Sequence, residues 1–186
     1  MQRMSPATSR PLKTIDDYLA LPEGVRAEWI GGEILMTPSP LPRHSEIGVR
    51  LGGFLEAWVR ASAWGTVFGA PCDVHLPSGD VVQPDLLLVA KTNPNVVKDP
   101  WIRGVPDLVV EILSTTHEDR DRRIKRRLYA KNRVPEYWLV DPVAATIEML
   151  RLKGRAFRTV ESFERGSVLT SVTLPGFHLP LDELFV

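Results

Sequence analysis

The sequence predicts an α/β (α+β) fold, in which helices flank a mixed β-sheet. Two segments, residues 44–62 and 115–132, have apolar residues at helical spacing. Between and after them lie short apolar runs of strand length, separated by glycine, proline and polar clusters. This order of helix, strands, helix and further strands is typical of one mixed sheet with helices packed on it.

The N-terminal part of the chain predicts a short helix and then a β-hairpin. Thr14 and Asp17 have the spacing of a capping box at the start of a helix over residues 14–21. The segments AEWI and EILM are joined by Gly31-Gly32, a pair that favours a tight hairpin turn. The prolines of TPSPLP then interrupt regular structure, and the first long helix should follow over residues 44–62.

The remaining elements are strands on either side of a second long helix. The strand-length runs are GTVFGA, CDVHL, QPDLLLVA and PDLVVEIL before that helix, and EYWLVDP, TIEMLRL, AFRTVES and SVLTSVTL after it. Residues 77–80 should form a turn, and residues 91–104 a loop. A capping box at residues 115–118 should begin the helix, which should end near Asn132.

Length and composition favour one domain over residues 1–186, with residues 1–13 as a loose arm. The single cysteine, Cys72, excludes an intrachain disulfide and a cysteine-rich zinc site. No apolar run approaches the ~18 residues of a membrane span, and residues 1–11 lack the apolar stretch of a signal peptide. We therefore expect a cytoplasmic protein. The balance of 23 basic and 23 acidic residues argues against coating of nucleic acid by bulk charge.

Two predicted strands each contain one acid within an apolar run. Asp85 stands at the head of the strand in QPDLLLVA, and Glu111 lies inside the strand in PDLVVEIL. A carboxylate removed from water costs several kcal/mol unless it is paired or binds a metal. On neighbouring strands, the two acids would suit a hard cation such as Mg²⁺, which prefers oxygen ligands. The alternative is that each acid lies at a strand edge or pairs with an arginine.

The helix that follows the Glu111 strand turns a lysine toward the sheet. Projection at about 100° per residue places one arc of this helix on the apolar side, and it contains His117, Asp121, Ile124, Lys125 and Leu128, with Tyr129 at its edge. Lys125 would then reach the end of the Glu111 strand. The alternative is a surface pair between Asp121 and Lys125 at i,i+4, which contributes only a few tenths of a kcal/mol.

The same helix is strongly basic. Residues 120–133 contain eight cations and one acid. The outward-facing arginines would suit a phosphate backbone; they are Arg122, Arg123, Arg126 and Arg127. The alternative is an ordinary solvated helix face.

These segments together resemble a known family. PDLLLVA, PDLVVEILS, an Asp-x-x-x-Lys-x-x-x-Tyr helix and EYWLVDP occur in the order found in the Uma-two endonucleases of the PD-(D/E)xK nuclease superfamily. TIDDYLALPEG, AEWIGGEI and SPLPRHSEI extend the resemblance toward the N-terminus. It covers residues 14–150, roughly.

The resemblance implies a restriction-endonuclease-like core with catalytic acids on two adjacent strands. Asp85 matches the PD acid, and Glu111 the acid of the second half-motif. The lysine expected two residues after that acid is replaced by Leu113, and Lys125 on the following helix matches the place to which it has moved. Glu28 and His44 also match positions characteristic of the family. Glu28 would be an extra ligand or a water-orienting group, and His44 would transfer a proton or contact phosphate. Gln83, Asp73 and Asp121 are candidates for support of the site.

The implied function is metal-dependent hydrolysis of phosphodiester bonds, in DNA. Asp85, Glu111 and the backbone carbonyl of Ile112 would hold Mg²⁺ or Mn²⁺, which lowers the pKa of bound water. Lys125 would orient the water and stabilise the transition state. A homodimer would suit an enzyme that cuts both strands.

Other functions remain alternatives. Because Leu113 replaces the usual lysine, one alternative is a catalytically inactive nucleic-acid-binding or assembly module that keeps the nuclease fold. A hydrolase based on Ser114 and His117 lacks the Gly-x-Ser-x-Gly elbow, and a zinc hydrolase lacks His-Glu-x-x-His. The apolar C-terminal segment TLPGFHLPLDELFV would form an interface or close the core.

Overall fold

A computed structural model describes residues 12–114 and 118–186 of the chain. Most of the arm expected over residues 1–13 and most of the capping box expected at residues 115–118 lie outside these ranges. The described helices are α1 (Ile15–Leu19), α2 (Pro42–Ser62), α3 (Arg126–Lys131) and α4 (Leu181–Leu184), with a 3₁₀ turn at Pro94–Val96 and a π-helical turn at Arg120–Lys125 directly before α3. The described strands are β1 (Ala27–Ile30), β2 (Glu33–Met36), β3 (Gly65–Gly69), β4 (Val74–His75), β5 (Val81–Val82), β6 (Leu86–Ala90), β7 (Val97–Lys98), β8 (Trp101–Arg103), β9 (Leu108–Ile112), β10 (Glu136–Asp141), β11 (Thr146–Lys153), β12 (Ala156–Glu164), β13 (Val168–Thr170) and β14 (His178–Pro180).

The central sheet has six strands in the order β12-β11-β10-β9-β6-β3. It is mixed, because β9 and β10 run parallel while every other neighbouring pair is antiparallel. Its middle strands read as continuous apolar runs because both faces are covered. The predicted α/β (α+β) class, with a mixed sheet flanked by helices and an N-terminal hairpin, is confirmed.

One face of the central sheet packs against α2. Ile47, Leu51, Leu55 and Val59 form the apolar stripe of that helix and are buried. They contact alternate residues of the sheet, which are Leu86 and Leu88 of β6, Leu108, Val110 and Ile112 of β9, and Trp138 and Val140 of β10. Each such side chain contributes about 1.5–3 kcal/mol through its burial, so this layer fixes the position of the sheet relative to α2.

The opposite face packs against α3 and a second sheet. Leu128 and Tyr129 of α3 contact the intervening residues of the central strands, among them Leu87, Val109, Tyr137 and Leu139. The second sheet has the order β2-β1-β5-β4-β8-β7. The prediction of one sheet is therefore wrong. Residues 91–104, predicted as a loop, contain β7 and β8, whose two or three residues are too few to give a periodic signal.

The C-terminal segment closes the α2 side of the core. Leu174, Phe177, Leu179, Leu181 and Phe185 are buried in the same cluster as the α2 stripe. Of the interface and core-closing alternatives for this segment, its buried side chains favour the second. The strand predicted from SVLTSVTL is shorter than expected, because only Val168–Thr170 pairs with β14 and the chain then turns.

Candidate active site

Asp85 and Glu111 come together at one end of two paired strands. In the antiparallel pair of β6 and β9, Leu86 lies opposite Val110, so Asp85, one residue before β6, lies at the position of Glu111. The backbone N–H of Ile112 donates to Asp85 Oδ2 at 2.7 Å. This bond fixes the Asp85 carboxylate at the end of β9, as the two apolar runs predict.

Glu111 projects from β9 toward the α3 side of the sheet. Its neighbours Val110 and Ile112 face α2, so the alternation of a strand turns Glu111 the other way. The side chain is only 2% exposed. Its Oε1 accepts hydrogen bonds from Lys125 Nζ at 2.9 Å and from the Tyr129 hydroxyl at 2.6 Å. Burial raises the pKa of Glu111 well above its ordinary value, and the Lys125 ammonium opposes this shift.

Lys125 reaches the site from the π-helical turn. Its Nζ is also 2.9 Å from Glu28 Oε1 and 3.6 Å from Asp121 Oδ1. Burial alone would lower the pKa of Lys125, but the carboxylates of Glu111, Glu28 and Asp121 outweigh it and raise the pKa above its ordinary value. Lys125 is therefore a buried ammonium among three acids. The expected approach of this lysine to the end of the Glu111 strand matches its position in the structure.

The orientation predicted for Ile124 is wrong. The projection placed Ile124 on the sheet side, but its side chain is exposed. The projection assumed an α-helix, whereas Arg120–Lys125 is π-helical and has more residues per turn. Asp121, Lys125, Leu128 and Tyr129 keep the predicted buried side.

Asp121 is a buried acid beside Lys125. Burial raises its pKa from 3.8 to about 6, with a smaller opposing effect of Lys125 and further increases from the charges of Asp85 and Glu28. Its backbone carbonyl accepts a hydrogen bond from the Tyr137 hydroxyl at 3.2 Å, which ties the π-helical turn to β10.

His44 lies in the first turn of α2 and faces Asp85. Its Nε2 is 3.2 Å from Asp85 Oδ2. Burial by itself would lower the pKa of His44, but the hydrogen bond to Asp85, the Asp85 charge and a hydrogen bond to the Ile112 backbone raise it on balance. His44 therefore contacts two of the three groups expected to hold a metal.

Glu28 enters the site from the second sheet. Its side chain is 1% exposed, and its Oε1 accepts a hydrogen bond from the backbone N–H of Gln83 at 2.9 Å. The Gln83 side chain donates to Asp73 Oδ1 at 2.8 Å, and Asp73 Oδ2 accepts from the Tyr18 hydroxyl at 3.1 Å. Glu28, His44, Gln83 and Asp121 thus lie at the same cavity as Asp85, while Asp73 supports Gln83.

A cavity of about 240 Å³ joins these groups. Four polar side-chain atoms at its lining are buried and have no hydrogen-bond partner among the described residues: Arg26 Nε, Glu28 Oε2, Thr37 Oγ1 and Gln83 Oε1. Unpartnered buried polar groups are costly and rare in folded proteins. Their concentration in one cavity indicates a site for a polar ligand.

Three residues of the site were not predicted from the sequence. Tyr129 contacts Glu111, Arg120 Nη1 lies 3.6 Å from Glu28 Oε2, and Arg26 lines the cavity. Tyr129 had a signal, because it follows Lys125 by four residues on the buried arc. Arg26 and Arg120 had none, since a single arginine beside a turn or in a basic run is usually solvated.

The donor set at Asp85 and Glu111 has the chemistry of a site for a hard divalent ion. Within residues 12–114 and 118–186, no group of three or more His, Cys, Asp and Glu side chains is arranged to hold a metal. The set expected from the sequence is different in kind, because it has only two carboxylates, and its third ligand is a backbone carbonyl. These are the hard oxygen ligands that Mg²⁺ and Mn²⁺ take. Glu28 Oε2, which accepts no hydrogen bond and lies 3.6 Å from Arg120 Nη1, adds a further oxygen in the same cavity. The residues present therefore fit such an ion.

The outward arginines of the basic helix line a separate groove of about 670 Å³. Arg122, Arg123, Arg126 and Arg127 form one wall; Lys131, Arg133, Arg155, Ala130, Gly154, Ala156 and Phe157 complete the lining. Two of the predicted arginines also make ion pairs, Arg122 with Glu118, Glu148 and Asp141, and Arg123 with Asp119. Arg126 donates to the backbone carbonyl of Phe157.

The mixed sheet, with an acid-lined cavity at one end of two adjacent strands, is a restriction-endonuclease-like fold, and the comparisons with known proteins support a nuclease. The model of the Uma2 family, described as "Putative restriction endonuclease", matches residues 15–182, and the chain belongs to this family. A structure of similar fold is that of "a putative nuclease belonging to DUF820" from Anabaena variabilis ATCC 29413. It has 22% sequence identity and a TM-score of 0.76, over 92% of this chain and 97% of that one. No curated protein matches the chain. Within the described residues, no helix is long and apolar enough to cross a membrane.

Proposed function

We propose that the protein is a metal-dependent endonuclease that hydrolyses phosphodiester bonds in DNA. The observation that supports this most strongly is the position of Lys125, which replaces the missing lysine at the Leu113 position. Its ammonium lies 2.9 Å from Glu111 and lines the same cavity as Asp85 and His44. An acid pair and a buried cation at one end of adjacent strands form the kind of constellation that this hydrolysis needs.

Asp85, Glu111 and the carbonyl of Ile112 would hold the ion, with Glu28 Oε2 as an additional oxygen. When bound, Mg²⁺ or Mn²⁺ supplies Lewis acidity and neutralises charge on the phosphate. The family generally uses divalent metal ions, and we propose Mg²⁺ or Mn²⁺ for this chain.

The other side chains have roles that follow from their contacts. Lys125 stabilises negative charge that develops at the phosphate and orients the attacking water, because its ammonium is held in place by two carboxylates. Tyr129 keeps Glu111 in position through its hydroxyl. His44, with its raised pKa, is placed beside Asp85 to transfer a proton or contact phosphate.

The nucleic acid is proposed to be DNA, held through its backbone. The groove of Arg122, Arg123, Arg126 and Arg127 lies on the helix that also supplies Lys125. Contacts of arginine to phosphates give affinity that is mostly independent of sequence. A symmetric homodimer is part of the proposal, since it would present two sites to the two strands of a duplex.

Nicking of supercoiled plasmid tests the proposal. The wild-type protein should nick the plasmid with Mg²⁺ or Mn²⁺ and stop when a chelator is added. Asp85→Ala and Lys125→Ala should each remove the activity, whereas Lys91→Ala, at an exposed lysine outside the cavity, should leave it unchanged. Nicking that survives Asp85→Ala would contradict the assignment of the site.

A specific observation also favours a second function, a nucleic-acid-binding or assembly module without activity. Lys125 forms ion pairs with Glu28 and Glu111 and so neutralises acids that would otherwise attract a cation. This function predicts that wild type does not nick under either metal. It also predicts that DNA binding is the same in wild type and Asp85→Ala.

A further inference from the structure

Arg26 presents to the cavity a guanidinium that has no partner among the described residues. It directly precedes β1, in which Glu28 lies two residues further on. Its Nε is buried without a hydrogen-bond partner, and it forms no ion pair with another described residue. Arg120, the other arginine at this cavity, is already held by Glu28 and by the carbonyl of Met36. Arg26 is therefore a cation that lines a cavity with several acids and whose buried Nε donates to none of the described residues.

Thr37 provides a second unpartnered donor next to Arg26. The backbone N–H of Thr37 donates to the carbonyl of Arg26 at 2.9 Å, so the two residues are fixed side by side. The Thr37 hydroxyl is buried without a partner among the described residues and faces the same cavity. The two remaining unpartnered atoms, on Glu28 and Gln83, are acceptors. The cavity therefore has a donor pair as well as an acceptor pair.

Arg26 also stands where two cavities meet. A neighbouring cavity of about 280 Å³ shares part of its lining with the first, and the shared residues are Arg26, Pro40, His44, Asp85 and Ile112. Arg26 and Asp85 thus both line the two cavities. The arginine therefore lines the acid-containing cavity and its neighbour, so a substrate that occupies both would lie against it.

We infer that Arg26 and Thr37 form a phosphate-binding site in the first cavity, beside its border with the second, that receives a non-bridging oxygen of the phosphodiester. The guanidinium has a planar fork of donors that matches phosphate oxygens and forms charge-assisted bonds. A phosphate oxygen would also give Arg26 the ion-pair partner that none of the described acids provides. This inference rests on the proposed function, since it names the residues that hold that substrate.

Binding of inorganic phosphate tests this site without any cleavage. Isothermal titration with phosphate is carried out in Mg²⁺ and again in chelator. Arg26→Gln should weaken phosphate binding by at least about tenfold, as expected for loss of a hydrogen bond between charged groups. Arg26→Lys, which keeps the charge but not the fork, should be intermediate. Thr37→Val should give a smaller loss, and Arg60→Gln, at an exposed arginine of α2, should give none.

An oligonucleotide duplex with hydroxyl ends distinguishes a phosphodiester from free or terminal phosphate. Displacement of bound phosphate by this duplex supports an internal phosphodiester as the ligand, and failure to displace it overturns that part of the inference. Equal phosphate affinity in wild type and Arg26→Gln, or no saturable binding by wild type, overturns the site itself. Thermal melts of Arg26→Gln and Arg26→Lys show whether the variants are folded.

The two proposals fail separately. If wild type nicks plasmid but Arg26→Gln binds phosphate and nicks as wild type does, the endonuclease stands and the Arg26 site is wrong. If wild type does not nick but phosphate binding depends on Arg26, the anion site stands and the endonuclease proposal is wrong.

Discussion

At the scale of single residues, the site is a balance of buried charges. Three acids surround Lys125, with Asp85 at the same cavity. Burial, with the charges of Asp85 and Glu28, raises the pKa values of Glu111 and Asp121. Such a cluster is held together by one ammonium and by hydroxyl donors such as Tyr129. Because buried charges that are only partly compensated cost free energy, these acids lower the stability of the fold and favour binding of a further cation.

Asp121 gives this cost a definite pH dependence. Its folded pKa of about 6 lies above the ordinary value of 3.8, so between these values the folded protein holds the proton more tightly than the unfolded chain does. The free energy of unfolding that depends on Asp121 is therefore highest below about pH 4, and it falls as the pH rises to about 6. The full loss is roughly 3 kcal/mol.

Asp121→Asn should remove this dependence. Urea unfolding is measured in the presence of a chelator. The free energy of unfolding of the variant, relative to that of wild type, should increase as the pH rises from about 4 to about 6 and should then stay constant. Asp119→Asn, at an exposed acid of the same helix, is the matched control and should run parallel to wild type. Parallel curves for Asp121→Asn as well would show that the Asp121 carboxylate is not destabilised in the folded state.

At the scale of elements, the site depends on how β6 is held between β3 and β9. β3 pairs with β6 along its whole length, with Gly65 opposite Ala90. A Cβ at Gly65 would lie 2.1 Å from the carbonyl oxygen of Val89 and 2.9 Å from the Cα of Ala90. Both are backbone atoms, so the strands could accept a side chain here only by moving apart.

Gly65→Ala should therefore destabilise the protein by about 1–3 kcal/mol or more, the range for overpacking of a well-packed site. Gly53→Ala is the control, because a Cβ at this exposed position of α2 meets nothing within 4 Å. It should raise the free energy of unfolding by about 0.5–1 kcal/mol through helix propensity. Chemical denaturation of both variants checks the prediction, which is wrong if Gly65→Ala unfolds at the wild-type midpoint.

The elements also show what could be predicted from the sequence. The long α2, the hairpin and the apolar strands β6, β9 and β10 have periodic or turn signals of their own, and their sequence alone places Asp85 at the head of one strand and Glu111 inside another. The strands β4, β5, β7 and β8 have only two or three residues, so they exist through pairing with distant segments. The π-helical turn and the burial of the Arg26 Nε likewise depend on tertiary packing, which no local pattern encodes.

At the scale of the whole molecule, two surfaces with opposite character lie on the two sides of one helix. Toward the sheet, the helix contributes Asp121, Lys125 and Tyr129 to an acidic cavity. Toward solvent, it forms one wall of a groove whose lining has seven cations and no acid. This separation allows a net charge of zero together with a local surface that attracts polyanions.

The groove predicts a measurable salt dependence of DNA binding. Each cation that neutralises a phosphate contributes about 0.9 to the slope of the logarithm of affinity against the logarithm of salt concentration. Arg127, Lys131 and Arg155 line the groove and are exposed. Changing all three to alanine should therefore lower the magnitude of that slope by about one for each phosphate that is no longer neutralised, and it should weaken binding about equally for different duplex sequences.

A control that removes the same charge elsewhere separates the groove from bulk electrostatics. Arg60, Lys91 and Lys98 are exposed and lie outside the groove, and the triple alanine variant at these positions has the same net charge as the groove variant. If both triple variants reduce the slope equally, binding follows overall charge and the groove has no special role. If only the groove variant reduces it, the outer face of the basic helix contacts the phosphate backbone, so the surface that holds DNA lies on the same helical segment as the lysine that faces the acids.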